Sequence, residues 1–315
     1  MPEVLVRARG LTKRFGSFTA VDGIDFDLFR GEAFGFLGPN GAGKSSTMRM
    51  LGCVSPPTVG ELTILGGDPV RDGVAIRGRL GVVPQEDTLD NELTVRENLL
   101  VYGRYFGLPR KLINERAAQL LDFVQLTERA DDQVEPLSGG MKRRLTIARS
   151  LINDPDILIL DEPTTGLDPQ ARHVVWDRLF RLKQRGVTLI LTTHYMDEAE
   201  QLCDRLVVLD HGKIAAEGTP RDLITRYSTA EVLELRFAPG EQEDPGARED
   251  IVQKIKDLSP ERMEVTADRL LLYAADGDEF LARVHGAGLE PSTELVRRST
   301  LEDVFLHLTG RTLID

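Results

Sequence analysis

The octapeptide Gly38-Pro39-Asn40-Gly41-Ala42-Gly43-Lys44-Ser45 has the GxxxxGK[ST] spacing of a phosphate-binding loop. Its glycines let the backbone approach a ligand closely, so successive N–H groups can surround a β-phosphate at a helix N-terminus. Lys44 can then reach the β- and γ-phosphates and Ser45 can offer its hydroxyl to Mg²⁺, with Ser46 opening the helix behind them. A second component is Ile157-Leu158-Ile159-Leu160-Asp161-Glu162, an apolar run ending in two adjacent carboxylates. Neighbouring side chains at a strand end diverge. Asp161 can therefore serve the metal shell, usually through water, while Glu162 faces the γ-phosphate and orients or deprotonates the attacking water. A helix cap would use the same pair, but the upstream phosphate loop favours the metal and base roles. The third component is Leu137-Ser138-Gly139-Gly140-Met141, followed by Lys142-Arg143-Arg144-Leu145. Ser138, Gly139 and Gly140 would expose backbone N–H groups at the start of a helix whose dipole favours negative charge, a second anion site.

These segments need a scaffold, and the chain supplies one. Ala33-Phe34-Gly35-Phe36-Leu37 reads as a buried strand just before the phosphate loop, and Ser46 to Leu51 as a helix just after it. From Val4 to about Tyr227 short apolar runs alternate with segments at helical spacing, which predicts an α/β domain around a largely parallel sheet. The turn formers and acids from Ala238 to Gly246 read as a loop, and the domain boundary is placed just ahead of it, giving domains 1–227 and 228–315. Behind that boundary Leu233, Leu235 and Phe237 alternate as a strand, and Ile251, Ile255 and Leu258 mark one helix face. Met263–Thr266 and Leu270–Tyr273 flank Ala267-Asp268-Arg269 as a hairpin, Phe280–Val284 is helical and Thr293–Arg297 alternates again. The expected tail is a small α+β, ferredoxin-like βαββαβ module. Its last helix is expected to start with a capping box over Ser299-Thr300-Leu301-Glu302 and to carry the apolar stripe Leu301, Val304, Phe305 and Leu308.

The 315 residues carry 39 basic and 51 acidic side chains, a net charge of −12 that disfavours a nucleic-acid-coating role. Cys53 and Cys203 match neither a disulfide framework nor a zinc spacing, and His173, His211, His285 and His307 show no ligand spacing. No apolar run approaches the ~18 to 20 residues that span a bilayer, and the first residues lack a secretory pattern, so the expected location is the cytoplasm.

With the serine–glycine pentapeptide between its phosphate loop and its paired carboxylates, the chain resembles the ATP-binding-cassette (ABC) family over roughly residues 4–227. Further family motifs stand in order: Gln85 in Val82-Val83-Pro84-Gln85, Asp168 in Gly166-Leu167-Asp168, and His194 after the strand Val187–Thr192. The resemblance implies a cassette fold with a phosphate-loop parallel sheet, an antiparallel β subdomain and a helical subdomain. It implies that Gln85 senses Mg²⁺ and water and reports to a transporter partner, that Asp168 couples two sites, and that His194 contacts the γ-phosphate. Phe15 stands where the family stacks an aromatic ring, often Tyr, on adenine. In the family the serine–glycine segment closes on the γ-phosphate held by another subunit, which implies a head-to-tail pair of chains with two Mg·ATP between them.

The interval from Lys44 to Ser138 leaves room for a compact helical subdomain but not for the long coiled coil of chromosome-maintenance ATPases, and the single phosphate loop differs from the paired cassettes of translation-factor members. Leu93–Leu100, Tyr102–Gly107 and Leu301–Leu306 resemble the ATPases of the ABC-2 exporter group, which includes daunorubicin-type efflux and nodulation-factor export proteins. The expected function is therefore the ATP-hydrolysing subunit of a bacterial exporter. It would sit on the cytoplasmic face of the membrane through a separate ABC-2 type permease and move a drug-like, lipid or glycoconjugate cargo. The alternative is a non-transport ATPase acting on ribosome or DNA. The segment Leu99, Tyr102 and Phe106 also reads as a buried helix face, with Leu100 or Tyr105 on the other side.

Overall fold

In chain order the N-terminal part of the protein, seen in a computed structural model, runs β1 (Val4–Phe15), β2 (Phe18–Phe29), β3 (Ala33–Leu37), α1 (Lys44–Leu51), β4 (Val59–Ile64), α2 (Gly73–Arg77), β5 (Leu80–Val83), α3 (Val95–Tyr105), α4 (Arg110–Phe123), α5 (Gly139–Ser150), β6 (Ile157–Asp161), α6 (Pro169–Gln184), β7 (Thr188–Thr193), α7 (Met196–Leu202), β8 (Arg205–Asp210) and β9 (Lys213–Gly218). The structure describes residues 3–238, 245–266 and 268–310. They fall into two units that divide between Pro220 and Arg221. The turn formers from Pro239 to Asp244 and the hairpin residue Ala267 lie outside the described residues.

The first unit holds two sheets. One is antiparallel in the order β2-β1-β4; the other runs β5-β6-β7-β3-β8-β9, parallel except for β9. β3 and β7 are buried along their whole length, as strands covered on both faces are. The rings of Phe26, Phe34 and Phe36, with centroids 5.2 to 5.9 Å apart, tie β2 of the first sheet to β3 of the second, and a single apolar core runs through both. A separate core joins α3, α4 and α5 through Leu99, Leu121 and Leu145. Helix α3 begins at a capping box in which Thr94 N–H donates to the Glu97 carboxylate and Glu97 N–H to the Thr94 hydroxyl, at 2.9 and 3.2 Å. Of the α3 residues expected to face outward, Tyr105 is 79% exposed, whereas Leu100 packs against the helical core alongside Tyr102 and Phe106.

The second unit runs α8 (Pro220–Tyr227), β10 (Glu231–Arg236), α9 (Pro245–Asp257), β11 (Arg262–Val265), β12 (Leu270–Ala274), α10 (Gly277–Gly286), β13 (Thr293–Arg298) and α11 (Leu301–Thr309). Its antiparallel sheet has the order β11-β12-β10-β13, so the expected βαββαβ succession is observed. The sequence boundary near residue 228 sits past the division between Pro220 and Arg221, which leaves all of α8 but its first residue in this unit. Alternation in β10 sends Leu233 and Leu235 to the core shared with Ile255 and Phe280, and Val232 to the other face with Tyr273 and Leu306.

The cap of the last helix differs from its expected position by one residue. Thr300, not Ser299, is the N-cap, and Asp303, not Glu302, closes the box by accepting from the Thr300 N–H at 2.8 Å. Ser299 is instead tied back to the sheet side through its N–H to Ala230 O at 3.2 Å. Asp303 is 1% exposed and takes two bonds from the Arg297 guanidinium, at 2.7 and 2.9 Å, plus one from the Tyr273 hydroxyl at 3.3 Å. Burial alone would raise its carboxyl, but the Arg297 fork and the Thr300 N–H outweigh that and hold it below the ordinary range. Arg297 keeps a second carboxylate, Glu234, at 2.6 Å, so Asp303→Asn removes charge-assisted bonds without stranding the guanidinium and is expected to destabilise this unit by about 1.5–3 kcal/mol. Urea denaturation followed by tyrosine fluorescence checks it, and an unchanged midpoint would contradict the assignment.

Candidate functional site

Four parallel strands that are neighbours in the sheet, β5, β6, β7 and β3, deliver the motifs found in the sequence from their carboxyl ends. Val83 leads to Gln85, Asp161 ends β6 with Glu162 behind it, Thr193 precedes His194, and Leu37 leads into the loop 38–45. This is the side of an open α/β sheet where ligands bind. Gly43 shows why the loop needs glycine: its φ is +103°, and a Cβ there would come within 2.4 Å of the Ala20 carbonyl oxygen.

Around this loop lies a cavity of about 200 Å³ lined by Pro39, Asn40, Gly41, Gly43, Lys44, Ser45 and Ser46, with Gln85 and Glu162 opposite. Lys44 is 4% exposed; its ammonium donates to the Gly38 and Pro39 carbonyls at 2.7 and 3.1 Å and stands 3.6 Å from a Glu162 oxygen. Burial pulls this ammonium below its ordinary range, and the Glu162 charge opposes the shift. Ala42 donates its N–H to Pro39 O within the loop, at 3.2 Å.

Glu162 is the centre of the arrangement. Gln85 and Thr165 each donate to its Oε2 at 3.1 Å, and His194 Nδ1 stands 3.4 Å from the same oxygen. His194, and then the Lys44 charge, hold this carboxyl below the ordinary range against the opposing effect of burial, so it is an anion at neutral pH and able to accept a proton. Its backbone is left-handed, with φ 47°, a conformation costing a non-glycine residue on the order of 1–3 kcal/mol unless its surroundings impose it. One imposing group is Thr192, fully buried at the end of β7, whose hydroxyl accepts from Glu162 N–H at 3.0 Å and donates to Asp161 Oδ1 at 2.6 Å. Sequence reasoning missed Thr192; the polar pair Thr192-Thr193 closing the apolar run Leu189–Leu191 was its only signal.

A second cavity, about 300 Å³, is lined in part by Ser45, Gln85 and Asp161. A hydroxyl, an amide and a carboxylate there form an oxygen donor set suited to a hard divalent cation.

The remaining motif residues stand elsewhere. Ser138 is the N-cap of α5, its hydroxyl accepting from Met141 N–H at 3.3 Å, and Asp168 is the N-cap of α6, accepting from Ala171 N–H at 2.9 Å. The two helix starts abut: a Cβ on Gly140 would come within 2.8 Å of the Ala171 Cβ. None of Ser138, Gly139, Gly140 or Asp168 lines either cavity. Phe15 is half-exposed beneath Lys13 Nζ, 5.1 Å from its ring centre. Its cross-strand neighbour Phe18, which the sequence reading overlooked, is the aromatic ring that lines the loop cavity.

The sequence profile of the ABC transporter family matches residues 21–165, and that of the C-terminal domain of nodulation factor export protein NodI matches residues 249–310. A Nod factor export ATP-binding protein I from Rhizobium sp. (strain N33) is 50% identical over 99% of both chains. One from Paraburkholderia xenovorans (strain LB400) is 48% identical over 100% of both. The chain belongs to the ABC transporter family of ATP-binding proteins. Its fold also resembles the dimeric structure of a bacterial ABC transporter cassette, with a TM-score of 0.61 and 28% identity over 68% of this chain and 98% of that one. This ABC protein is thus an ATP-binding, ATP-hydrolysing cassette with a C-terminal domain. Among its described residues no helix is long and apolar enough to cross a membrane.

Proposed function

We propose that this ABC ATPase powers export by closing head-to-tail on a second copy around two Mg·ATP and passing the motion to a separate ABC-2 type permease. The observation carrying the reading is the Glu162 carboxylate, held between Lys44, Gln85 and His194 at the mouth of the phosphate loop. In this reading the loop from Gly38 to Ser46 holds the phosphates, Lys44 neutralises their charge, and Ser45, Gln85 and Asp161 hold Mg²⁺, which supplies charge neutralisation at the phosphate oxygens. Glu162 takes the proton of the attacking water, His194 contacts the γ-phosphate, and Phe15 or Phe18 offers a ring face to the base.

Ser138, Gly139, Gly140 and Asp168 lie apart from the cavities of their own chain, which supports their serving the site of a partner copy. The relatives are named for Nod factor export; among drug, lipid and glycoconjugate cargos these names favour the Nod factor type, and they do not favour action on ribosome or DNA. Attachment at the cytoplasmic face of the membrane then comes through the permease.

If the site is completed by a second copy, ATP turnover per chain rises with protein concentration, and the protein co-purifies in detergent with a polytopic membrane protein. Turnover per chain that is independent of dilution would overturn the shared site. Nucleic-acid-stimulated hydrolysis without a permease would overturn the transport role.

A further inference from the structure

Arg143 lies on α5, the helix that Ser138 begins, and its half-buried guanidinium makes no hydrogen bond to a carboxylate among the described residues. Its Nε donates to Pro163 O at 2.7 Å, its Nη2 to Asp161 O at 3.0 Å and Glu162 O at 3.1 Å, and its Nη1 to Pro84 O. Three of these acceptors are consecutive carbonyls where the chain leaves β6, and the fourth immediately precedes Gln85. One planar fork thus grips both sides of the Glu162 peptide and the root of the Gln85 loop, an arrangement a lysine ammonium cannot reproduce.

We propose that Arg143 is a positioning residue for Glu162, fixing from the carbonyl side the left-handed backbone that Thr192 fixes from the N–H side. Because the same guanidinium reaches Pro84 O, it sets Glu162 and Gln85 relative to each other, and because it rides on α5 it ties both to the helix headed by Ser138. Burial pushes its pKa down to about 10, so the guanidinium remains a cation at neutral pH. This inference rests on Glu162 being the base.

The test compares Arg143→Ala, Arg143→Lys and Glu162→Gln in the full chain. A displacement of about 1 Å at a catalytic group costs on the order of 10²-fold, so Arg143→Ala is expected to lower kcat by that order while KM for ATP stays within about threefold, with Arg143→Lys between it and wild type. In the Glu162→Gln background Arg143→Ala is expected to add less than about twofold, because both changes remove the same contribution. A kcat within about threefold of wild type, a raised KM with intact kcat, or a full multiplication of the Glu162→Gln loss would each overturn the proposal. A slow Glu162→Gln protein beside a fast Arg143→Ala protein overturns this inference alone; a normal Glu162→Gln protein overturns the base assignment and this inference together. If Arg143→Ala does not fold, Arg143→Lys and Arg143→Gln decide on the same criteria.

Discussion

Glu162→Gln is expected to slow ATP turnover by about 10²- to 10⁴-fold, about 3 to 5 kcal/mol of barrier, with nucleotide binding retained. The amide keeps the shape of the side chain and an acceptor for Gln85 and Thr165, both now at 3.1 Å, but it cannot take up a proton. It also removes the negative charge 3.6 Å from the Lys44 ammonium, which frees that cation for phosphate and so favours binding. The expected signature is a protein that loads MgATP, pairs with its second copy and stays paired. Single-turnover hydrolysis alongside sizing in MgATP reads both halves. Normal turnover would remove Glu162 from the role of base.

Lys44→Ala acts on the other limb. Its ammonium is enclosed by the Gly38 and Pro39 carbonyls and by Glu162, so a phosphate entering the loop meets a desolvated cation already in place. A hydrogen bond to a charged group contributes roughly 1.5–3 kcal/mol, so the loss corresponds to about a 10- to 10²-fold weaker affinity for ATP, read by equilibrium binding of labelled nucleotide. The variant also leaves Glu162 without its neutralising neighbour in a buried place, which opposes an incoming polyanion further. Wild-type affinity in Lys44→Ala would argue against the phosphate-loop assignment.

What the sequence disclosed follows from how local each instruction is. The run Ala33–Leu37 became β3 residue for residue, and the loop, its lysine and the helix after it stand as their spacing required, because strand, turn and helix there are dictated by neighbours in the chain. Asp161 and Glu162 were legible for the same reason. That β5, β6, β7 and β3 lie side by side, bringing Gln85, Glu162, His194 and Lys44 to one place, was not, since no local period encodes the order of parallel strands. Thr192 and Arg143 escaped because their partners lie 31 and 18 residues away from them, and a threonine in a strand or an arginine on a helix has no spacing of its own. The one-residue change in the last helix's cap has a tertiary cause as well: Asp303 is drawn inward by Arg297 and Tyr273, a force that the alternation of Ser, Thr and Glu does not record.

The left-handed backbone at residue 162 also restricts which replacements this position can accept. Branching at Cβ clashes with that twist, whereas asparagine and aspartate enter it several-fold more readily than most side chains. A search for inactive but stable forms would therefore favour glutamine, asparagine or glycine, while valine, isoleucine and threonine would carry an added destabilisation of about 1–3 kcal/mol. Evolution away from hydrolysis at this site is thereby confined to a narrow set of exits.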